Sequence, residues 1–313
     1  MLPSPSASRS TASTVDRAIA FAAGAWRQVG VSGWTSSHEQ WAIDPEPLII
    51  FTAWLDDSDI RLRDEATDWC IRNWRYISRT RLRNLARREP DDVQALVGGF
   101  AATVAHATGV PWPGATEPRP FTVTGRSVLS PLARPSLVWI RLRSMFGLGA
   151  RSELLRVLLS SPSESLSVAD LARATGYLKR TIADECEVLE RAGLLSVRAS
   201  GNRFLFALSR RRELEALLGE LPDLRPDWSA MFHVAREFVL FERTESMADA
   251  RTVPVHARAT LSALQHSLDE LDISPPIADL RGAQLSDAVH VLEQSTLANW
   301  SKGDATNPVI LRH

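Results

Sequence analysis

The chain has 313 residues with 36 basic and 37 acidic side chains, and this balance excludes a general attraction to nucleic acid. Its length and hydrophobic content allow two or three domains with real cores, and its two cysteines, without suitably spaced histidines, exclude a zinc knuckle. The N-terminus lacks a charged segment followed by an apolar run, and no stretch is long and apolar enough to span a bilayer. We therefore expect a cytoplasmic protein that does not contact membranes.

Residues 1–13 are mainly serine, proline, alanine and threonine, a composition that predicts a disordered tail. Residues 14–108 predict an all-helical N-terminal domain. Its helices are expected over 14–30 with Thr14 as N-cap, from Pro45 or Pro47 to Leu55, from Ser58 or Asp59 to about Trp74, after Ser78, and over 91–108. Residues 109–135 contain six prolines and predict a linker or an extended crossing, with one short strand at 121–128.

The next segment, residues 136–219, begins with a predicted helix over 136–146 and continues with three amphipathic helix patterns from residue 150. Ser167 precedes the second pattern as an N-cap, and Gly176 follows it as a helix-ending glycine. The third pattern has an apolar residue at steps of four and three. Its face carries Ile182, Cys186, Leu189 and Ala192.

Two short apolar runs, 194–198 and 204–208, follow the third helix and predict strands. Residues 199–202 predict the turn between them, with Gly201 and Asn202 supplying positive φ. Three short helices followed by a two-stranded hairpin is the order of a winged helix-turn-helix. The third helix of this module usually lies in a DNA major groove.

This stretch, residues 150–208, resembles the ArsR/MarR class of winged-helix transcriptional regulators over about a fifth of the chain. The resemblance is carried by Leu154, Leu158, Leu171, Ala172, Thr175, Gly176, Ile182, Leu189, Glu190, Ala192, Gly193, Leu194 and Leu195, and VLERAGLL at 188–195 is its sharpest part. With the flanking helical patterns it gives a mainly α fold. A helical domain precedes a central winged helix-turn-helix domain over 136–219 with a β-hairpin wing, and a helical domain over 226–313 follows it.

The resemblance implies a DNA-binding regulator that reads the major groove with helix 177–191 and contacts phosphates with the wing, 194–208. The residues that it implies at the DNA are Tyr177, Lys179, Arg180, Thr181, Ala183, Asp184, Glu187, Arg198, Asn202 and Arg203. Lys179, Arg180 and Thr181 are expected at the groove, and Tyr177 near the sugar-phosphate edge. Arg198 and Arg203 are expected to clamp phosphates, and residues 210–212 extend the basic edge. The partners are double-stranded DNA and, as is usual for such regulators, a second copy of the chain.

Three acids in the third helix argue for a different function. Asp184, Glu185 and Glu187 would face repulsion from DNA phosphates, although a carboxylate can accept a hydrogen bond from cytosine N4. The alternative is a protein-interaction scaffold or an antitoxin-like partner, whose winged helix binds a protein partner and not DNA.

The distribution of charge supports the first interpretation. Residues 121–149 carry four arginines and no acid, and residues 150–219 carry 11 basic and nine acidic side chains. Residues 220–313 carry eight basic and 14 acidic side chains, which suits a partner or dimer surface. Helices are expected there over 227–245, 256–272 and 284–299. The apolar stripes on the last two suit either an intramolecular core or a dimer contact.

The densest basic run spans residues 72–88, within the predicted N-terminal helical domain. Its members are Arg72, Arg75, Arg79, Arg81, Arg83, Arg87 and Arg88. This run suits a second phosphate-contacting surface. Acids nearby in the sequence favour the other interpretation, a solvated helix face paired with Asp64, Glu65, Asp68 and Glu89.

Six of the ten tryptophans fall in the first quarter of the chain, and most are expected in the core. Trp34 and Trp41, in a loop, are the expected exceptions and could line a small-molecule pocket. His38-Glu39 lacks the second histidine of a metalloprotease motif, and among the other histidines only His256 with His266 or His290 could meet. With no phosphate-binding glycine loop and no nucleophile elbow, we expect no enzymatic activity, no metal and no cofactor. The excess of arginine over lysine, with much alanine, is typical of a bacterial source.

Overall fold

The computed structural model describes residues 12–34, 38–161, 165–273 and 280–303. These residues form 13 α-helices, three 3₁₀-helices and one three-stranded antiparallel sheet, so the fold is mainly α, as predicted. Most of the predicted tail, residues 1–11, lies outside the described residues. Ser13, the last residue of that tail, caps the first helix by accepting a hydrogen bond from the Asp16 main-chain N–H at 3.1 Å.

The first five helices are α1 (Thr14–Val29), α2 (Pro45–Leu55), α3 (Ile60–Asn73), α4 (Arg79–Ala86) and α5 (Asp91–Thr108). All five lie close to their predicted bounds. The Asp59 and Ser78 side chains cap α3 and α4, as the pattern predicts. Thr14 is the first residue of α1, so the prediction of Thr14 as the cap is wrong by one position.

Residues 109–134 cross these helices as an extended segment without a strand, so the short strand predicted at 121–128 is wrong. The main-chain N–H groups of Thr124 and Gly125 both donate to the Asp68 carboxylate at 2.8 Å. Other main-chain N–H groups of the segment donate to α5 and to the end of α1, and none pairs with a neighbouring strand among the described residues. The proline-rich stretch is therefore held against the N-terminal helices.

The central part contains α6 (Val138–Phe146), α7 (Ala150–Ser160), β1 (Leu166–Ser167), α8 (Val168–Thr175), α9 (Lys179–Arg191), β2 (Leu195–Ser200), β3 (Arg203–Leu208) and α10 (Arg211–Leu218). The strand order is β1-β3-β2, and both pairings are antiparallel. β1 was not predicted because two residues are too few to show the alternation of a strand.

The last three helices are α11 (Trp228–Met247), α12 (Val253–Glu270) and α13 (Ala283–Trp300). The apolar stripes of α12 and α13 face α11 and the N-terminal helices, and their leucines are buried within the single chain. The stripes are therefore intramolecular core. A dimer, if the chain forms one, has to use another surface.

The apolar side chains form two cores. One is shared by α1–α5 and α11–α13, so the segments predicted as separate first and last domains pack around common side chains. The other is formed by α6–α10 with the sheet, and Leu155, Ile182 and Phe206 lie within it. The central segment thus has a core of its own against a larger helical body.

Candidate nucleic-acid interface

Helix α9 is held in place by one apolar face. Ile182, Cys186 and Leu189 are buried against α7, α8 and β2 at the predicted spacing. Burial raises the pKa of the Cys186 thiol to about 12, so this cysteine stays protonated and serves as a core residue.

The opposite face of α9 is open to solvent. Lys179, Arg180 and Asp184 are exposed there, and Thr181 and Ala183 are half-buried. Leu178, the N-cap residue, provides no side-chain hydrogen bond, so the first main-chain N–H groups of the helix are not capped by it. These N–H groups give the start of α9 a partial positive charge, which adds to the two cations beside it.

Two of the three acids on α9 are paired with arginines. Arg151 on α7 donates to Glu185 at 2.9 Å, and Arg191 donates to Glu187 one turn away on the same helix. Asp184 is exposed and makes no ion pair within the described residues. Of these three acids only Asp184 is left unpaired, and Glu190 near the end of α9 is a further exposed acid without an ion pair among the described residues.

The hairpin beside α9 is regular up to its tip. β2 and β3 pair from Leu195 with Leu208 to Ser200 with Arg203, which leaves a two-residue turn of Gly201 and Asn202. Gly201 has a φ of 56°, as the turn requires. Asn202 does not have positive φ, so that part of the prediction is wrong.

The two faces of the hairpin differ in chemistry because side chains alternate along each strand. Arg198 and Arg203 share one face, and both are exposed with no ion pair within the part of the chain that the structure describes. The other face is apolar. Phe206 is buried at its base, whereas Phe204 near the tip is 65 % exposed.

The turn between α8 and α9 contacts α4 of the N-terminal helices. Gly176 ends α8 with a φ of 76°, and its carbonyl accepts a hydrogen bond from Asn84 Nδ2 at 2.6 Å. Tyr177 is half-buried, and its Oη lies 3.2 Å from Ser78 Oγ. Burial also raises the pKa of the Tyr177 phenol. The structure thus brings Tyr177, predicted at the sugar-phosphate edge, onto the cap residue of α4.

One of the three arginines at the start of α10 has a structural role. Of the three arginines at 210–212, Arg210 and Arg212 are exposed. Arg211 donates to the carbonyls of Leu158 and Leu159 at the end of α7. It stabilises the C-terminus of that helix and does not extend the basic edge.

A buried ionic cluster joins the central part to the N-terminal helices. Asp44, at the start of α2, accepts a hydrogen bond from Arg81 Nη2 at 2.6 Å, and Glu46 accepts one from Arg81 Nη1 at 2.7 Å. Arg143 on α6 donates to both oxygens of Glu46, at 2.7 and 2.8 Å, and its Nε donates to Glu153 on α7 at 3.0 Å. These five side chains are buried.

Electrostatics favour the charged form of two carboxylates of this cluster, Glu153 and Asp44, whereas burial raises the pKa of Glu46 in spite of the nearby Arg143 and Arg81. Burial raises the pKa of Glu153, but the Arg143 and Arg81 guanidinium groups hold it well below its ordinary value. Asp44 behaves in the same way, since Arg81 and Arg156 outweigh its burial and lower its pKa. With Arg156, which donates to Glu153 at 2.8 Å, three cations face three carboxylates. No sequence pattern predicts this cluster, because its members come from four separate segments of the chain.

The predicted pairing of the arginine run, residues 72–88, with acids nearby in the sequence is wrong. The four expected acids bind other groups in the structure. Their partners are Arg63 for Asp64, Ser127 for Glu65, main-chain N–H groups of residues 124, 125 and 127 for Asp68, and Arg236 for Glu89. Arg81 is buried in the ionic cluster, whereas the other arginines of α4 are exposed.

The two tryptophans predicted to line a pocket lie in the core and near the surface. Trp41 is fully buried against Phe21 and Trp228, so the prediction that it lines a pocket is wrong. Trp34 is half-buried under Arg61, 5.0 Å from the ring centroid. Within the described residues no group of histidine, cysteine and carboxylate side chains is arranged to hold a metal ion.

His38 is buried in the larger core, where its Nε2 lies 2.8 Å from the Trp300 carbonyl oxygen. It packs so closely on α1 that a Cβ at Gly24 would lie 2.2 Å from the imidazole ring, which explains a glycine within that helix. The residue thus links α1 to the end of α13, and it takes no part in a metal motif.

Comparisons with known proteins add no identification: no family model, no curated protein and no solved structure matches this chain. Among the helices formed by the described residues, none has the length and apolar content needed to span a membrane.

Proposed function

We propose that this chain is a DNA-binding transcriptional regulator whose residues 136–219 act as a winged helix-turn-helix. Helix α9 lies in the major groove, and the β2–β3 hairpin is the wing that contacts the flanking phosphates. One observation carries the proposal. The open face of α9 lies beside a hairpin whose exposed arginines, Arg198 and Arg203, have no ion pair within the described residues.

The roles of the side chains follow from their positions. Lys179 and Arg180 stand at the positive N-terminal end of α9, the part of a recognition helix that contacts base edges. Asp184, one turn further on, accepts a hydrogen bond from cytosine N4. Arg198 and Arg203, on one face of the wing, neutralise phosphates and provide affinity that depends strongly on salt.

The remaining helices provide a rigid body to which this module is fixed. The buried cluster around Arg81 and Arg143 joins α2 and α4 to α6 and α7, so the DNA-binding surface has a defined orientation relative to the larger core. A second copy of the chain would supply a second module for a two-fold operator.

Fluorescence anisotropy with a labelled duplex from upstream of the chain's own gene, in a series of salt concentrations, tests the proposal. Removing two phosphate contacts in the variant Arg198→Ala/Arg203→Ala should reduce the slope of log affinity against log salt by about 2. The matched control is Arg251→Ala/Arg258→Ala, which removes two exposed arginines near and within α12 and should leave the slope unchanged. Absence of duplex binding, or equal effects of both variants, would contradict the proposal.

A protein-interaction scaffold or antitoxin-like partner is the second candidate, and exposed apolar side chains around α9 favour it. Leu178 at the start of the helix is 78 % exposed, and Phe204 on the wing is also largely exposed. Apolar groups in these positions suit a protein surface better than a phosphate backbone. Leu178→Ser and Phe204→Ser should then abolish capture of a specific protein. They would leave any duplex binding unchanged.

A further inference from the structure

The strongest observation that the proposed function does not use is the set of exposed arginines on α4. Arg79 and Arg83 lie within the helix and Arg87 is its C-cap residue, and their spacing of four places them on one side. All three are exposed, and none makes an ion pair with a described residue. Arg79 donates a hydrogen bond to the Pro111 carbonyl at 2.8 Å, which leaves its charge uncompensated.

This side of α4 borders the side that contacts the proposed DNA-binding module. Asn84 lies next to Arg87 around the helix and holds the Gly176 carbonyl. Arg88 is exposed as well, and its Nη2 lies 3.4 Å from the Arg173 carbonyl oxygen at the end of α8. The α4 arginines are therefore adjacent to the α8–α9 turn.

The turn places the start of α9 close to these arginines. Lys179 follows Gly176 by three residues, so their Cα atoms are separated by at most roughly 11 Å. Arg180 comes next, and both cations are exposed. Six cations thus lie on two segments joined by direct contacts. They are Arg79, Arg83, Arg87 and Arg88, in or directly after α4, and Lys179 and Arg180 at the start of α9.

Several acids near this surface are bound elsewhere, whereas Asp91 and Asp92 at the start of α5 are exposed and make no ion pair within the described residues. Glu89, at the end of α4, is bound to Arg236 of α11. Glu46 and Glu153 are buried in the ionic cluster with Arg81 and Arg143. The unpaired acid on the neighbouring part of α9 is Asp184, which faces the proposed groove.

We propose that α4 is a second phosphate-contacting element, which extends the DNA-binding surface of α9 and the wing onto the N-terminal helices. The inference rests on the proposed function, because α4 would contact the backbone that flanks the groove entered by α9. A polyanionic backbone is the ligand that suits evenly spaced, unpaired arginines on an exposed helix.

The test compares variants of the full chain in anisotropy titrations with a mixed-sequence duplex over a range of salt. Arg79→Ala/Arg83→Ala/Arg87→Ala should weaken binding by at least about tenfold and lower the slope of log affinity against log salt by about 2 to 3. Arg79→Lys/Arg83→Lys/Arg87→Lys should retain most of the affinity, because it keeps the charge. The matched control is Arg251→Ala/Arg258→Ala/Arg281→Ala, which removes three exposed arginines from the C-terminal helices and the segments beside them and should change neither quantity.

The outcomes separate this inference from the proposed function. Circular dichroism and thermal unfolding identify a triple variant that has lost its fold. The single variants Arg79→Ala, Arg83→Ala and Arg87→Ala, each expected to lower the salt slope by about 1, then carry the comparison. Binding that depends on Arg198 and Arg203 but not on the α4 arginines overturns the second element and leaves the proposed function standing. Binding that depends on α4 alone overturns the recognition role of α9 and the wing. A chain that binds no duplex overturns both.

Discussion

Helix α4 carries two kinds of arginine, and their comparison explains much about this molecule. Arg81 is buried and holds Asp44 and Glu46 in a charged cluster, whereas Arg83, two residues later, is exposed and makes no ion pair within the described residues. The chemistry of the side chain is the same in both. The position around the helix decides whether the charge stabilises the fold or remains available for a ligand.

The difference is energetic as well as geometric. A guanidinium buried with carboxylates has lost its hydration and depends on its partners, so removing one member leaves an uncompensated buried charge. An exposed guanidinium keeps its hydration, and its removal changes stability little. Stability and ligand affinity should therefore respond to different arginines of one short helix.

Removing the buried arginine should have the largest effect. Arg81→Ala leaves Asp44, Glu46 and Glu153 with too few cations, and the free energy of unfolding should fall by about 3 to 5 kcal/mol. Urea denaturation followed by circular dichroism measures this loss. The matched control, Arg83→Ala on the same helix, should stay within about 0.5 kcal/mol of the parent chain. A small loss for Arg81→Ala would mean that the cluster contributes little to folding.

His38 is buried like Arg81, but it makes no ion pair within the described residues, so it shows what burial alone does to an ionisable group. Burial lowers its pKa from 6.5 to about 4. Between these two values the unfolded chain binds the proton more tightly than the folded chain. Stability is therefore complete above about pH 6.5 and decreases as the pH falls toward 4, by about 3 kcal/mol for this group.

Urea denaturation at several pH values checks this expectation. His38→Gln, which keeps a donor for the Trp300 carbonyl, should show a smaller loss of stability than the parent chain between pH 6.5 and 4. His106→Gln, which changes an exposed histidine of α5, is the control and should leave the pH dependence as it was. Equal pH dependence in all three chains would show that His38 titrates normally.

The same contrast explains what the sequence could and could not predict. Periodic apolar residues and capping residues such as Ser78 and Ser167 give the helices, because these signals are local. The open face of α9 also follows from the spacing of its buried residues. The pairing of residues distant in sequence, such as Glu46 and Arg143, cannot be predicted from local patterns. Only the position of Arg143 in an apolar helix pattern indicates that its charge is buried and needs a partner. For the same reason the sequence pairs Glu89 with neighbouring arginines, whereas its partner in the structure is Arg236.

Removing the charge of Asp184, on the open face of α9, should have a smaller effect, and it should strengthen DNA binding. A mixed-sequence duplex does not fix a cytosine opposite Asp184, so the repulsion from phosphates decides the effect there. If α9 faces DNA, Asp184→Asn should strengthen binding to such a duplex by about fivefold, since one pair of charges at close range in water is worth about 1 kcal/mol. Anisotropy titration at constant salt measures it. Glu190→Gln, which changes another exposed acid near the end of α9, should have a weaker effect. Unchanged or weaker duplex binding by Asp184→Asn would argue against this orientation of the helix.

Tyr177 lies between the start of α4 and the start of α9, and its hydroxyl distinguishes a structural role from a role at the DNA. Because Tyr177 Oη lies 3.2 Å from Ser78 Oγ at a half-buried contact, Tyr177→Phe should lower the free energy of unfolding by about 1 kcal/mol. Tyr76→Phe is the control, since the hydroxyl of Tyr76 makes no hydrogen bond within the described residues. A double-mutant cycle with Ser78→Ala separates this hydrogen bond from the capping role of Ser78. Coupling between the two positions assigns Tyr177 to the contact with α4, whereas unchanged stability with reduced duplex affinity assigns it to the sugar-phosphate edge.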